Sequence, residues 1–387
     1  MKKSILFLAA AASLVACSKN EVTPVSSAED VEISYNVAPK VKAESTPTFL
    51  RTWTFKSTAF YLQKAKAWKN DANSSTKYIN NVDISWDTNV WRNATKKYYW
   101  PKDGKLTFFA WTSLKQGDNV TGSYDGTKKV VTPTENQTVS YLTSGVTVDA
   151  TNGVKIENYD VTKDANKNYD LLVADIKASQ VANNEEKASP KYNTNGVPTL
   201  FKHKLSQVFF TAVTVDANKK PYDYKTTDGI QFTLNSITFK GIDKINTYTQ
   251  GVDSTLTEGA WGIASASTDQ VYTNTATTLT DTVAPLIAAG NQYYYLPQDF
   301  TAQTSTGSLT SDVFVVNYTI KYANNTTETI DKEFVLNDNA TGATAMFNKW
   351  EMGKRYTINL KFSLNEILWD PAVQDWETVN RDVTVGE

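Results

Sequence analysis

Apolar and polar residues alternate along much of this chain, and a period of two marks a strand with one face toward a core. Tyr356, Ile358, Leu360, Phe362 and Leu364 alternate with Thr357, Asn359, Lys361 and Ser363, which predicts a strand with a single apolar face. Phe314, Val316, Tyr318, Ile320 and Tyr322 predict another over Val313 to Tyr322. Leu106, Phe108 and Ala110 are interleaved with Thr107, Phe109 and Trp111, so both faces of that strand are expected to be covered. Phe232 and Leu234 share one phase while Ile237 and Phe239 take the other, which places a bulge or a new strand near Asn235-Ser236.

Between these runs lie Thr-, Ser- and Asn-rich stretches such as Ser267 to Thr282 and Thr301 to Ser311, which read as solvated loops. No amphipathic helix longer than three turns and no repeat of 20–50 residues is apparent. Many short strands separated by turn residues predict an all-β protein built of sandwiches. The most polar break in the middle is Asp216 to Asp228, which contains Pro221. It divides the chain into an N-terminal domain, 17–216, and a C-terminal domain, 217–387.

The first residues change the picture by adding a compartment. Lys2 and Lys3 precede a short apolar stretch from Ile5 to Val15, about 11 residues where a membrane-spanning helix needs about 20. Leu14-Val15-Ala16-Cys17 has the pattern of a lipobox, so residues 1–16 are expected to be a lipoprotein signal peptide cleaved between Ala16 and Cys17. Acylation of Cys17 would give a firm anchor, at about 0.8 kcal/mol per buried methylene over three chains. Cys17 is the only cysteine, which suits an exported chain whose thiol is spent on lipid. Ser18 is compatible with transport to the outer membrane, and Lys19-Asn20-Glu21 offers only one acid of the kind that favours surface display.

Charge and composition mostly exclude. Lys and Arg number 39 against 41 Asp and Glu, so no basic excess exists to neutralise phosphates, and nucleic acid is not expected as a partner. One Cys rules out a disulfide framework, and one His rules out multi-histidine zinc sites and leaves little room for a Ser-His-Asp triad.

Several stretches resemble the fimbrillin family, the lipoprotein-derived subunits and accessory proteins of type V pili. They are Tyr98-Tyr99-Trp100-Pro101 with the following Leu106 to Trp111, Tyr169 to Ala174 with its Asp-Leu-Leu, and Phe201-Lys202-His203-Lys204-Leu205-Ser206-Gln207-Val208. Tyr295-Leu296-Pro297-Gln298, Trp350-Glu351-Met352-Gly353-Lys354-Arg355-Tyr356 and the closing Ile367 to Trp376 complete the set, in the family's order. The resemblance implies two tandem β-sandwich domains of transthyretin-like or Greek-key type, and an adhesive or assembly role without catalysis.

Four groups of residues carry candidate chemistry. His203, between Phe201 and Leu205, reads as a hydrogen-bonded structural histidine rather than a general base. Asp164, Asn166, Asn168 and Asp170 are spaced like calcium-loop ligands with Asp175 at the twelfth place, but Tyr169 stands where that loop needs Gly and the bidentate Glu is absent. No metal and no cofactor is therefore expected. Six of the ten tryptophans, Trp53, Trp68, Trp86, Trp91, Trp100 and Trp111, fall in one stretch. They fill a core or interface on one reading; on the other, Trp68 and Trp91, set among polar residues, are exposed and stack on sugars. Paired acids for glycoside hydrolysis are not presented recognisably by any segment.

The reading that results is a non-catalytic lipoprotein of the outer-membrane surface or the fimbrium, acting as a pilus subunit or pilus-associated adhesin. The alternative is a surface glycan-binding lipoprotein with Trp and Tyr platforms. Expected partners are other pilus subunits (self or related), a host or bacterial surface ligand, and membrane lipid through Cys17. The pilins that this chain resembles are trimmed after a basic residue near the start of the first domain. Arg51-Thr52, after Pro47 in a stretch expected to be extended, is the candidate, and Val31, Ile33 and Tyr35 alternate like the strand such a cut would remove. A vacated strand position is a template for another strand. Val379, Val383 and Val385, with Arg381 interrupting, make the C-terminal tail a candidate donor.

Overall fold

The computed structural model describes residues 31–37, 49–69, 76–117, 122–134, 136–142, 145–163, 169–181, 196–253, 258–288, 293–301, 311–337, 347–364 and 366–375. The strands begin with β1 (Tyr35–Val37), β2 (Phe55–Leu62), β3 (Lys77–Asp87), β4 (Val90–Arg92), β5 (Lys105–Gln116), β6 (Gly122–Asp125), β7 (Val130–Pro133) and β8 (Gln137–Val139). Next come β9 (Val146–Asp149), β10 (Gly153–Asp160), β11 (Tyr169–Ala174), β12 (Lys177–Gln180), β13 (Val197–Thr199), β14 (Phe201–His203), β15 (Ser206–Thr214) and β16 (Gln231–Thr249). The remainder are β17 (Ala260–Trp261), β18 (Ala266–Thr273), β19 (Thr277–Thr278), β20 (Ala284–Pro285), β21 (Tyr294–Tyr295), β22 (Gln298–Asp299), β23 (Val313–Lys321), β24 (Thr327–Val335), β25 (Lys349–Trp350), β26 (Lys354–Phe362) and β27 (Ile367–Asp375). The protein is all-β, with multiple sheets packed face to face.

The N-terminal sheet runs β13-β1-β4-β3-β2-β5-β11-β14. Its strand β5 is covered on both faces, as its sequence predicts. Leu106, Phe108, Ala110 and Leu114 join one core with Ile33, Tyr35, Phe55, Trp91 and Phe201. Phe109 and Trp111 join a second with Val154, Ile156, Tyr248 and Leu296. The C-terminal core lies between the sheet β24-β23-β16-β10-β9 and the sheet β20-β15-β26-β27.

The change of phase in β16 is a bulge: its ladder with β23 slips between Leu234 and Ser236, and Phe232, Leu234, Ile237 and Phe239 all reach the core. One extra residue corrects the facing that a strict period of two would lose.

Three local expectations differ from the structure. Ser267 to Thr282 is not a loop throughout, because β18 and β19 pair along β16. Backbone ladder bonds and β-branched threonines hold these strands with few apolar side chains beyond the buried Tyr272. The polar face of β26 is not solvated either, since Arg355, Thr357 and Asn359 are all buried. The hairpin β6–β7 lies over it, with Val131 N–H donating to Thr357 Oγ1 at 3.1 Å and Asn359 Nδ2 donating to the Lys129 carbonyl at 2.9 Å. The chain at Arg51 is turned rather than extended, closed by Trp53 N–H on the Leu50 carbonyl at 2.9 Å.

The polar break Asp216 to Asp228 is a turn followed by the short helix α1 (Tyr224–Asp228). Asp223 caps its start by accepting from Thr226 N–H, and Gly229, at φ +66°, ends it in a conformation that costs glycine least. The strand just before this break, β15, pairs in parallel with β26, so the C-terminal core takes in Val208, Phe209 and Phe210. Signal peptide, Cys17 and the tail with Val379, Val383 and Val385 lie outside the described residues, as do Asp164, Asn166 and Asn168.

Candidate functional site

The segment 31–37 is seated inside the first sheet, not on its border. β1 pairs in parallel with β13 (Tyr35 with Val197, Asn36 with Pro198, Val37 with Thr199) and antiparallel with β4 (Tyr35 with Trp91). Ahead of β1, Ile33 N–H donates to the Tyr98 carbonyl at 2.7 Å, and Trp100 N–H donates to the Val31 carbonyl at 2.9 Å. The Tyr98-to-Pro101 stretch thus forms one wall of the seat. Alternation does the rest: Ile33 and Tyr35 are buried while Asn36 faces out.

The Tyr35 ring stands edge-on to Phe55 and Phe108, at 5.5 and 5.9 Å between centroids. Its hydroxyl donates to Ser57 Oγ at 2.9 Å, and Ser57 is itself buried. Burial pushes the Tyr35 phenol well above the usual tyrosine range, so it stays a neutral donor. At the open end Glu32 meets Arg92 at 3.3 Å, and Arg92 also holds Asp87 at 2.7 Å.

Phe49 and Arg51 extend the seat from the other side of residues 38–48. Phe49 stacks on Phe201 at 4.7 Å and meets Trp53, Phe55 and Trp91 edge-on. Arg51 and Thr52 are both exposed, and the Arg51 guanidinium lies 4.2 Å from the Trp86 ring centre. A cleft of about 420 Å³ opens here between Ser34, Phe49, Arg51, Trp86 and Trp91.

The six clustered tryptophans, Trp53 to Trp111, do not form an exposed platform. Trp68 and Trp91, exposed only on the alternative reading, are buried like Trp53, Trp100 and Trp111, as the core reading has it. The indole buries more area against Phe60, Phe109, Phe49 and Phe55 than polar sequence neighbours suggest. Trp86 is half-buried and covered by Arg51.

Several of the other family-like stretches are bonded to one another. His203 Nδ1 hydrogen-bonds Asp170 Oδ1 at 2.9 Å, both residues buried, which joins the Asp-Leu-Leu segment to the Phe-x-His segment. Gln137 Nε2 donates to Asp170 Oδ2 at 3.4 Å and to Tyr294 OH at 2.9 Å. Ser206 Oγ donates to the Glu351 carbonyl, and Gly353 N–H to the Leu205 carbonyl. Asp170 is thereby turned inward on β11, and Asp175 meets Lys202 at 3.4 Å. Among the described residues no three His, Cys, Asp or Glu side chains gather as a metal site.

Lys204, in the same stretch, is buried with its ammonium donating to the Glu258 carbonyl at 3.0 Å. Burial pushes it down to about 8. It borders an open cleft of about 740 Å³ with Glu258, Trp261, Trp350 and Met352.

A model of the family described as fimbrillin-like matches residues 63–376. The chain belongs to the fimbrillin-like family. No curated protein matches the sequence. Among solved structures, a fimbrial protein of Bacteroides vulgatus is similar over 89% of this fimbrillin-like chain and 99% of its own, with 16% identity and a TM-score of 0.55. The fimbrial anchor protein Mfa2 of Porphyromonas gingivalis aligns over 90% of this chain and 97% of its own, with 13% identity and a TM-score of 0.24. At such identities the first is a likeness of fold, and the second adds nothing to it.

Sequence patterning pointed to the buried face of Ile33 and Tyr35 but not to Ser57, β13 or the buried ammonium of Lys204. Val31, Ile33 and Tyr35 signalled a strand, and a buried tyrosine signals that some hydroxyl partner exists. Nothing in the sequence says that the partner is Ser57.

Proposed function

We propose that this fimbrillin-like protein is a non-catalytic, lipid-anchored subunit or adhesin of a surface fimbrium, assembled by protease-triggered strand exchange. The carrying observation is the position of 31–37. It is a short segment seated between β4 and β13, bonded on both sides, and it precedes the exposed turn at Arg51 in the chain. A cut between Arg51 and Thr52 detaches it along with Cys17 and its lipid. The sheet then keeps two unpaired borders and an uncovered aromatic floor, which favour pairing with a strand of another fimbrial subunit. The tail with Val379, Val383 and Val385 is a candidate donor to the vacated seat of a related subunit, and eight extended residues span about 26 Å. Head-to-tail insertion does not close on itself, so it grows a filament.

Mass spectrometry of the surface protein tests the trigger. An N-terminus at Thr52 in sheared filaments is the expected result; only acylated Cys17 ends in such filaments would sink it.

A further inference from the structure

We infer that the vacated β1 position selects for a tyrosine, and hence for a strand of another subunit rather than this chain's own C-terminal tail. The inference rests on the strand-exchange reading and names the chemistry of the partner. Ser57 is the deciding residue. Its hydroxyl is buried within β2, where its other hydrogen bond among the described residues is a long one to the Phe109 carbonyl at 3.5 Å. Tyr35 OH, at 2.9 Å, is its one short bond.

A strand that replaces β1 with valine or leucine opposite Trp91 and Val197 leaves this hydroxyl buried without a good partner. It also leaves a space between Phe55 and Phe108 that the tyrosine ring fills. A site built around a hydroxyl rejects ligands lacking one, because the cost of an unsatisfied buried group is added to the lost bond. Ile33 sets the second requirement, a branched apolar residue two positions earlier on the same buried face. The pattern is therefore apolar-x-Tyr. The tail from Glu377 to Glu387, ETVNRDVTVGE, contains no aromatic residue and cannot supply it. A strand of a different fimbrial subunit that carries apolar-x-Tyr can.

Two measurements on the full-length chain separate this specificity from exchange itself. In cis, Y35F and S57A should each lower the urea midpoint, and Y35F/S57A should be no less stable than S57A alone. Fully additive losses would show that the two hydroxyls are not partners and would overturn the tyrosine requirement. In trans, a site-specific protease sequence replaces the exposed Arg51–Thr52 turn, and the cut chain is titrated with fluorescent peptides. The peptide of Val31–Val37 should bind about tenfold tighter than its Tyr-to-Phe form, the loss of one buried hydrogen bond. Its Tyr-to-Val form should bind at least about a hundredfold weaker, and the 377–387 peptide likewise. Equal binding of the Tyr and Val peptides, or tighter binding of the tail peptide, overturns the inference and leaves exchange standing. Binding of no peptide removes the exchange reading and this inference with it.

Discussion

Lys204 is a charged side chain that the fold keeps buried. Its ammonium is buried against Tyr248, 5.7 Å from the ring centre, with Glu258, Asp175 and Lys202 as the charges around it. Desolvation lowers its pKa from 10.5 to about 8, so between those values the unfolded chain binds more protons and stability rises with pH. The penalty is complete below about pH 8 and gone above about 10.5. Keeping this charge buried costs about 3 kcal/mol, from which the bond to the Glu258 carbonyl subtracts about 1. Lys204→Met is expected to be more stable than the natural chain by about 2 kcal/mol at pH 7, an advantage that shrinks as pH rises from about 8 and reverses by about 1 kcal/mol above pH 10.5, where only the lost bond to the Glu258 carbonyl counts. Urea unfolding at several pH values checks this, and a gap that stays constant with pH would refute it. Arg51 makes the opposite kind of contact, exposed and weak. Stacking on Trp86 is worth about 0.5–1 kcal/mol and holds the expected scissile residue in a turn. Trp86→Ala should therefore speed cleavage after Arg51 by about threefold, read as the rate at which Thr52 N-termini appear, without altering where the cut falls.

The elements show why alternation alone mispredicts exposure. β26 reads as a strand with one polar face, and that face is where Thr211 Oγ1 donates to Asn359 Oδ1 at 2.6 Å, beneath the β6–β7 hairpin. Sheltered hydrogen bonds among Thr and Asn look identical in sequence to solvated ones. Asn359→Ala removes both its bond to Thr211 and its hold on Lys129. It should cost about 2 kcal/mol and make the exposed hairpin tip at Lys128–Lys129 a new site of limited trypsin cleavage. An unchanged digestion pattern would mean that the hairpin is held elsewhere. Ser267 to Thr282 fails in the same direction, because ladder bonds to β16 need no apolar side chain. The bulge at Asn235-Ser236, by contrast, was legible, since a shift of phase within one apolar run has few other causes.

At the scale of the whole molecule, attachment and assembly are separable predictions. Cys17→Ala should leave the precursor unacylated and uncleaved at this site, seen as loss of fatty-acid labelling and of detergent partitioning. Deleting Glu377 to Glu387 separates a donated tail from a structural one. A folded chain that no longer forms filaments supports donation, whereas a chain that fails to fold, or still polymerises, counts against it. The tyrosine preference of the β1 position favours continued polymerisation with a related subunit. The sequence by itself determined the all-β class, the doubly covered β5, the bulge in β16 and the removable-looking Val31-Ile33-Tyr35 segment. Each follows from periodicity or turn chemistry within about ten residues. Tertiary structure alone decided that Tyr35 lies between Trp91 and Val197, that Asp170 meets His203, and that β15 runs parallel to β26 across 148 residues of sequence. The physical reason is range. Local pattern fixes which face of a strand seeks a core, but the partner on that face is fixed by side-chain fit among residues far apart in the chain.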